Sequence, residues 1–210
     1  YNNIFYYLNE YDDSEGQLRI LKKFGSYFQS RYKTKTNTSE YYYAKRVYRK
    51  MQIIGARIED KPELSYEYLK LMKQEMLQAP KIEFADDMNY YLSCLSDLCY
   101  YYNYSSKDYT TGLKLCNEYL QEATTQKDAF SIMLAHSILA NQYREMKQYE
   151  KALFHVNASL NSYQFPPTSL SKFGLETMKA LNLSSTAQHS SAIAIMENNI
   201  ASIIQEHTNK

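Results

Sequence analysis

Glycine and proline are scarce in this chain, five and four among 210 residues, where average usage puts the pair at about 12%. Hairpins and Greek keys need these residues at their turns, which argues against a β architecture. Collagen-like and Pro/Gly-rich disordered classes fall with the same counts. Tryptophan is absent. An excess of one charge is absent too: 24 basic and 23 acidic side chains leave a net charge of +1. Such a molecule has no overall field to draw in nucleic acid or an anionic membrane. No apolar run approaches the ~20 residues of a membrane-spanning helix, and the longest candidates break within a few positions, as in Gln52-Ile53-Ile54-Gly55-Ala56-Arg57. Neither membrane insertion nor nucleic-acid contact is expected of this segment. The three cysteines, Cys94, Cys99 and Cys116, are odd in number and lack a CxxC pair, so neither a disulfide framework nor a zinc site is expected. They are expected to be small buried hydrophobes, with a lean toward a reducing compartment. The first residue is Tyr1, not methionine. The chain is therefore expected to be a processed form or an excised segment, with any signal peptide or anchor upstream.

What the chain does have is tyrosine, 23 of them, far too aromatic a composition for a disordered chain. Its apolar residues recur with helical spacing. Gly112, Cys116, Tyr119, Leu120 and Ala123 form one stripe, and Tyr149, Ala152, Leu153, Val156, Leu160 and Tyr163 a second. Ile193, Met196, Ile200, Ile203 and Ile204 form a third. Each is expected to lie on a neighbouring helix. Ser14-x-x-Gln17, Asn37-x-x-Glu40 and Ser185-x-x-Gln188 have the form of capping boxes. Pro62 and Pro80 fall between stripes, and Pro166-Pro167 stops one helix and can open the next. These signals predict ten helices, at 2–10, 15–32, 39–59, 62–78, 83–103, 108–124, 127–146, 149–163, 168–183 and 188–206. Short loops between them imply antiparallel neighbours in one all-α domain over 1–210.

The chain also repeats itself. Lys107-Asp108-Tyr109-Thr110-Thr111-Gly112-Leu113 aligns with Lys147-Gln148-Tyr149-Glu150-Lys151-Ala152-Leu153, and Ala192-Ile193 takes the same small–large place after a further shift. Leu139-Ala140-x-x-Tyr143, followed by Tyr149-x-x-Ala152-x-x-x-Val156 and Leu160, resembles the tetratricopeptide repeat, W-x2-L-G-x2-Y and then A-x3-F. The resemblance is closest over 133–163, fair over 93–124 and weak over 173–203. Residues 39–78 look like another helix pair. His136, Ser96 or Glu176 stands in the Trp-like place, and Tyr119, Ser159 or Asn199 in the second small place. The period of about 40 also admits HEAT- or armadillo-like pairs, and a non-repeat bundle is the remaining alternative. The resemblance implies antiparallel helix-pair repeats wound into an α-α superhelix, with Gly112, Ala152 and Ala192 where helices cross.

Catalytic constellations are absent from the sequence. His136, His155, His189 and His207 include no i, i+4 pair and no HExxH. Cys99 or Cys116 near His136 would be the best nucleophile, but an orienting acid and a Gly-rich oxyanion loop are missing. No phosphate-cradling Gly motif exists. No catalysis, cofactor or metal is expected, and a small helical enzyme is the least favoured class. The basic cluster Lys45-Arg46 with Arg49-Lys50, beside Tyr41 to Tyr43, could suggest nucleic acid; an exposed helix flank is the commoner explanation. Tyrosine runs such as Tyr100-Tyr101-Tyr102 with Tyr104 cannot be wholly core, since consecutive helical residues point about 100° apart. Their rings suit recognition, while for most of them the commoner explanation is tyrosine in place of Leu and Phe in the core.

In tetratricopeptide proteins, partners bind the concave face made by the first helix of each pair. Carried onto this chain, the resemblance implies a face of Asp97, Leu98, Tyr101 and Tyr104, then Ser137, Ile138, Asn141, Arg144 and Glu145, then Thr177, Met178 and Leu181. The ligand-binding candidates are Asp97, Tyr101, Tyr104, Ser137, Asn141, Arg144 and Thr177. Asn141 and Arg144 could hold a peptide carboxylate or backbone. The Lys/Asn set of the co-chaperone carboxylate clamp is not reproduced. The expected function is a non-catalytic module binding a protein or peptide. Its style resembles the sensory repeat regions of bacterial signalling proteins, which implies an extracytoplasmic (periplasmic) input domain whose output module lies beyond Lys210. A cytosolic adaptor on the same fold is the alternative.

Overall fold

Nine α-helices, one of them running on into a single π turn, make up most of the residues that the computed structural model describes (13–32, 39–78, 85–166 and 169–208), and no strand occurs among them. They are α1 (Ser14–Arg31), α2 (Ser39–Ile58), α3 (Pro62–Gln78), α4 (Ala85–Tyr100), α5 (Tyr109–Gln126), α6 (Ala129–Glu145), α7 (Tyr149–Ser162), α8 (Leu170–Ser185) and α9 (His189–Thr208), with the π turn at Tyr101–Ser105. The class is all-α. The helix expected at 2–10 lies outside the described residues; the other nine fall within a turn of their expected limits. The chain divides into two compact units, 1–91 and 92–210.

The punctuation is made without glycine. Asp60, Lys107, Lys127, Lys147 and Ala187 all take the left-handed conformation, with φ of 52° to 62°, a region in which Gly or Asn is usual. The N–H groups of Lys61, Asp128, Gln148 and Gln188 reach back to the carbonyls of Ala56, Ala123, Tyr143 and Leu183, closing each helix with a Schellman bond. Aspartates then open the next helices. Asp108 accepts from the Thr111 N–H at 3.2 Å. Asp128 accepts from Phe130 and Ser131 at 3.1 and 3.2 Å. Two expected capping boxes are corrected. Ser14 is the first helical residue, and Asp13 is the cap, accepting from Gly16 N–H at 2.7 Å. Ser185 ends α8 and returns its hydroxyl to the Leu181 carbonyl, while Gln188 donates to Thr186. Asn37 lies outside the described residues.

In the first unit, α1 packs on α2 and α2 on α3. Tyrosine stands in the core here: Phe24, Tyr32, Ala44, Val47 and Met51 are buried, with Phe28, Tyr41 and Tyr48 around them. The Phe28 ring stacks on Tyr48 at 5.4 Å and on Tyr41 at 5.8 Å.

In the second unit, α5 packs on α6, α6 on α7, α7 on α8 and α8 on α9, and α6 also touches α8. Two of the expected small residues, Gly112 and Ala152, are buried. A Cβ on Gly112 would run into the side-chain amide of Gln142, and Ala152 is fully buried. Ser159, also fully buried, donates to the Met133 carbonyl at 2.8 Å, tying α7 to α6. The third stripe departs from expectation. Helix α9 meets its neighbours through Ala192 and Ile195, and Asn199 is buried. Ile193, Met196, Ile200, Ile203 and Ile204 are 38–57% exposed. The periodicity marks an apolar face correctly, but that face is not the one in contact.

Candidate binding face and neighbouring constellations

The tyrosine run at the end of α4 splits by environment. Tyr102 and Asn103 are buried, Tyr101 is half-buried and edge-on to Tyr102, and Tyr100 and Tyr104 are exposed. Tyr100 and Tyr104, four positions apart across the π turn, stack on each other at 5.6 Å and 19°, the spacing at which helical side chains meet. Burial pushes the Tyr104 hydroxyl above its usual value; the Glu145 carboxylate adds to that shift and the Arg144 guanidinium opposes it. Burial also raises Tyr100, with Tyr104 and Asp97 contributing. The aromatic pair therefore lies within electrostatic reach of Asp97, Arg144 and Glu145.

Ser137, Asn141 and Arg144 are half-buried along one stripe of α6, and Thr177 is half-buried on α8. Arg144 forms no ion pair among the described residues. Tyr101 turns toward Tyr102, so Tyr100, which sequence reasoning did not select, is the ring that pairs with Tyr104. Leu98 and Ile138 are buried and belong to the core behind this face, whereas Leu181 and Glu145 are exposed.

A second cluster had no sequence signal of its own. His136 on α6 and His155 on α7 bring their Nδ1 atoms to 2.9 Å. Tyr143 stacks on His155 at 5.3 Å and 10°, Phe154 meets it edge-on, and Lys151 Nζ lies 5.3 Å from the centre of the Tyr143 ring. The pair meets only once α6 is folded onto α7 about the Lys147 turn, since His136 lies on one side of that turn and His155 on the other. Burial holds both imidazoles below their ordinary value, His155 at about 4 with His136 adding to the effect. Both are thus neutral near pH 7, one donating and one accepting. Protons that the folded chain refuses are taken up by the unfolded chain from about pH 6.5 downward. Stability from this pair is complete above that pH and is lost as the pH falls toward 4. Thermal melts across this window should therefore slope downward, and His155→Phe should flatten the slope; an equal slope in the variant would remove the pair as its source.

Cys94, Cys99 and Cys116 are buried, as expected. Burial and a hydrogen bond with Cys116 push the Cys99 thiol far up, away from the thiolate that a nucleophile requires. Among the described residues, no three His, Cys, Asp or Glu side chains gather as metal ligands would, and no helix is long and apolar enough to cross a membrane.

The basic cluster of α2 is corrected from an exposed flank to an ion-pair ladder. Lys45 and Arg49, one turn apart, share Glu75 of α3 at 3.4 and 2.6 Å. Arg46 and Lys50 share Asp87 of α4, each at 2.8 Å, and the Asp87 side chain is only 3% exposed. A cleft of about 370 Å³ also opens in this unit, lined by Leu18, Leu21, Tyr48, Leu64 and Tyr68 together with Lys22, Gln52 and Glu59. Compared with known proteins, the chain matches no family model, no curated protein and no solved structure.

Proposed function

We propose that residues 92–210 form a non-catalytic recognition module of tetratricopeptide-like helix pairs that holds an extended peptide or protein segment. The observation that carries this is Arg144, a half-buried arginine with no ion pair among the described residues, beside the exposed Tyr100–Tyr104 stack. A cation left uncommitted next to aromatic contact area suits a carboxylate carried next to an apolar or aromatic peptide residue. Ser137 and Asn141 on the same stripe supply hydrogen bonds to a peptide backbone. Support for the repeat comes from the left-handed turns at 107, 127, 147 and 187, spaced by 20 and 40 positions. Burial of all three thiols weakens the one feature that leaned toward a reducing compartment. The sensory input region of a bacterial signalling protein is therefore the proposed setting.

Selection from a random peptide library tests this. The chain should enrich carboxylate-bearing peptides, and Arg144→Ala should weaken the best of them by roughly tenfold or more, the scale of one charge-assisted hydrogen bond. Tyr104→Ala should weaken them too, with circular dichroism unchanged in both variants. Failure to enrich any peptide, or equal binding by both variants, would remove the proposal.

A further inference from the structure

We infer that the exposed stripe of α9 is a self-association surface that takes the α9 helix of a second copy in antiparallel pairing. This inference is independent of the peptide-binding face. Ile193, Met196, Ile200, Ile203 and Ile204 stand together, 38–57% exposed. Their face is turned by roughly one residue's rotation, about 100°, from the Ala192 and Ile195 side that packs within the chain. Forty positions earlier, Leu153 packs against Ala180 and Leu183 of α8, and Val156 is fully buried. The face that α8 covers on α7 is thus open on α9, and what suits it is another antiparallel helix.

Two features commit the occupant to a second copy. The positions 193, 196, 200 and 203 alternate steps of three and four, the seam that knobs-into-holes packing requires. A seam of this kind is self-complementary about a two-fold axis at its middle, between Met196 and Ile200, so that position 200 of one copy faces position 196 of the other. From His189 to Gln205 the helix carries a single charged side chain, Glu197. Two copies can therefore approach without like charges accumulating along the seam. The seam is about two heptads long, about 20 Å, and pairing along it would bury on the order of 1,000 Å² in total, the lower edge of a specific interface. The association is accordingly concentration-dependent rather than obligate.

Sedimentation or light scattering of the 210-residue chain, from low- to high-micromolar concentration, tests the inference. The mass should rise to that of two copies. Ile200→Glu should shift the midpoint at least tenfold upward with unchanged helicity, since Ile200 is exposed in the single chain. Ser191→Glu, on another face, should leave pairing intact. An equimolar mixture of Ile200→Glu and Met196→Lys should pair again, because position 200 of one copy then meets an opposite charge at position 196 of the other. A chain that stays single throughout, pairing indifferent to Ile200→Glu, or open-ended growth beyond two copies would overturn the inference.

Discussion

Asp87→Ala should lower the stability of the first unit by about 3 kcal/mol, the low end for removing one partner of a buried ion pair. The Asp87 side chain is 3% exposed and meets Arg46 and Lys50 at 2.8 Å each. Its removal strands two cations whose side chains are only 21% and 20% exposed. They can swing partly into water, which places the estimate at the low end. The neighbouring ladder cannot take them up: the Glu75 carboxylate already holds Arg49 by two hydrogen bonds, at 2.6 and 3.3 Å, with Lys45 beside it. Hydrogen exchange locates the effect. Amides of α2 and α3 should lose protection, and those of α6 to α9 should keep theirs. A variant with unchanged protection in α2 would show that Asp87 is dispensable to the unit.

Ala152→Leu is the second large effect, a loss of roughly 1–3 kcal/mol from overpacking. Ala152 is fully buried on α7, on a helix held to α6 by the buried hydrogen bond from Ser159 to the Met133 carbonyl. A leucine adds three carbons where the methyl already fills the space. The displaced atoms would belong to backbone and fully buried side chains, which yield less than surface groups. Denaturant midpoints for the second unit read the outcome. An unchanged midpoint would mean that α6 and α7 do not approach closely at this position.

The helices were legible because each carries its own information: apolar spacing, an opening cap and a break. The left-handed turns were half legible. Lys107-Asp108 and Lys147-Gln148 stood out as parts of a repeat, but Lys127-Asp128 makes the same kind of turn with no aligned partner to advertise it. Pairings over distance were not legible. Glu75 and Asp87 neutralise the α2 cations from 26 or more positions away, and a run of Lys and Arg looks the same whether solvated or paired. His136 and His155 are the same case in the second unit. For α9 the sequence marks an apolar face, and nothing local tells whether a neighbour covers it. Of the candidate face, the α6 residues were named from the tetratricopeptide resemblance, and Ser137, Asn141 and Arg144 are half-buried on that helix. Tyr100 was passed over although it stands four positions before Tyr104, the spacing at which helical side chains meet; the π turn at Tyr101–Ser105 is announced by no residue type.

The left-handed turns at Lys127, Lys147 and Ala187 constrain how the chain can change in length. Only two or three residues separate α5 from α6, α6 from α7 and α8 from α9, and these are spent on closing one helix and opening the next. An added residue has no slack to occupy and must be taken into a helix, where it rotates everything beyond it by about 100°. One residue too many ahead of Ala152 would bring Lys151 to the α6 crossing, in effect a frameshift of the packing face. Small insertions and deletions are thus excluded from these turns, and the longer connection between α7 and α8 is where the second unit can absorb them.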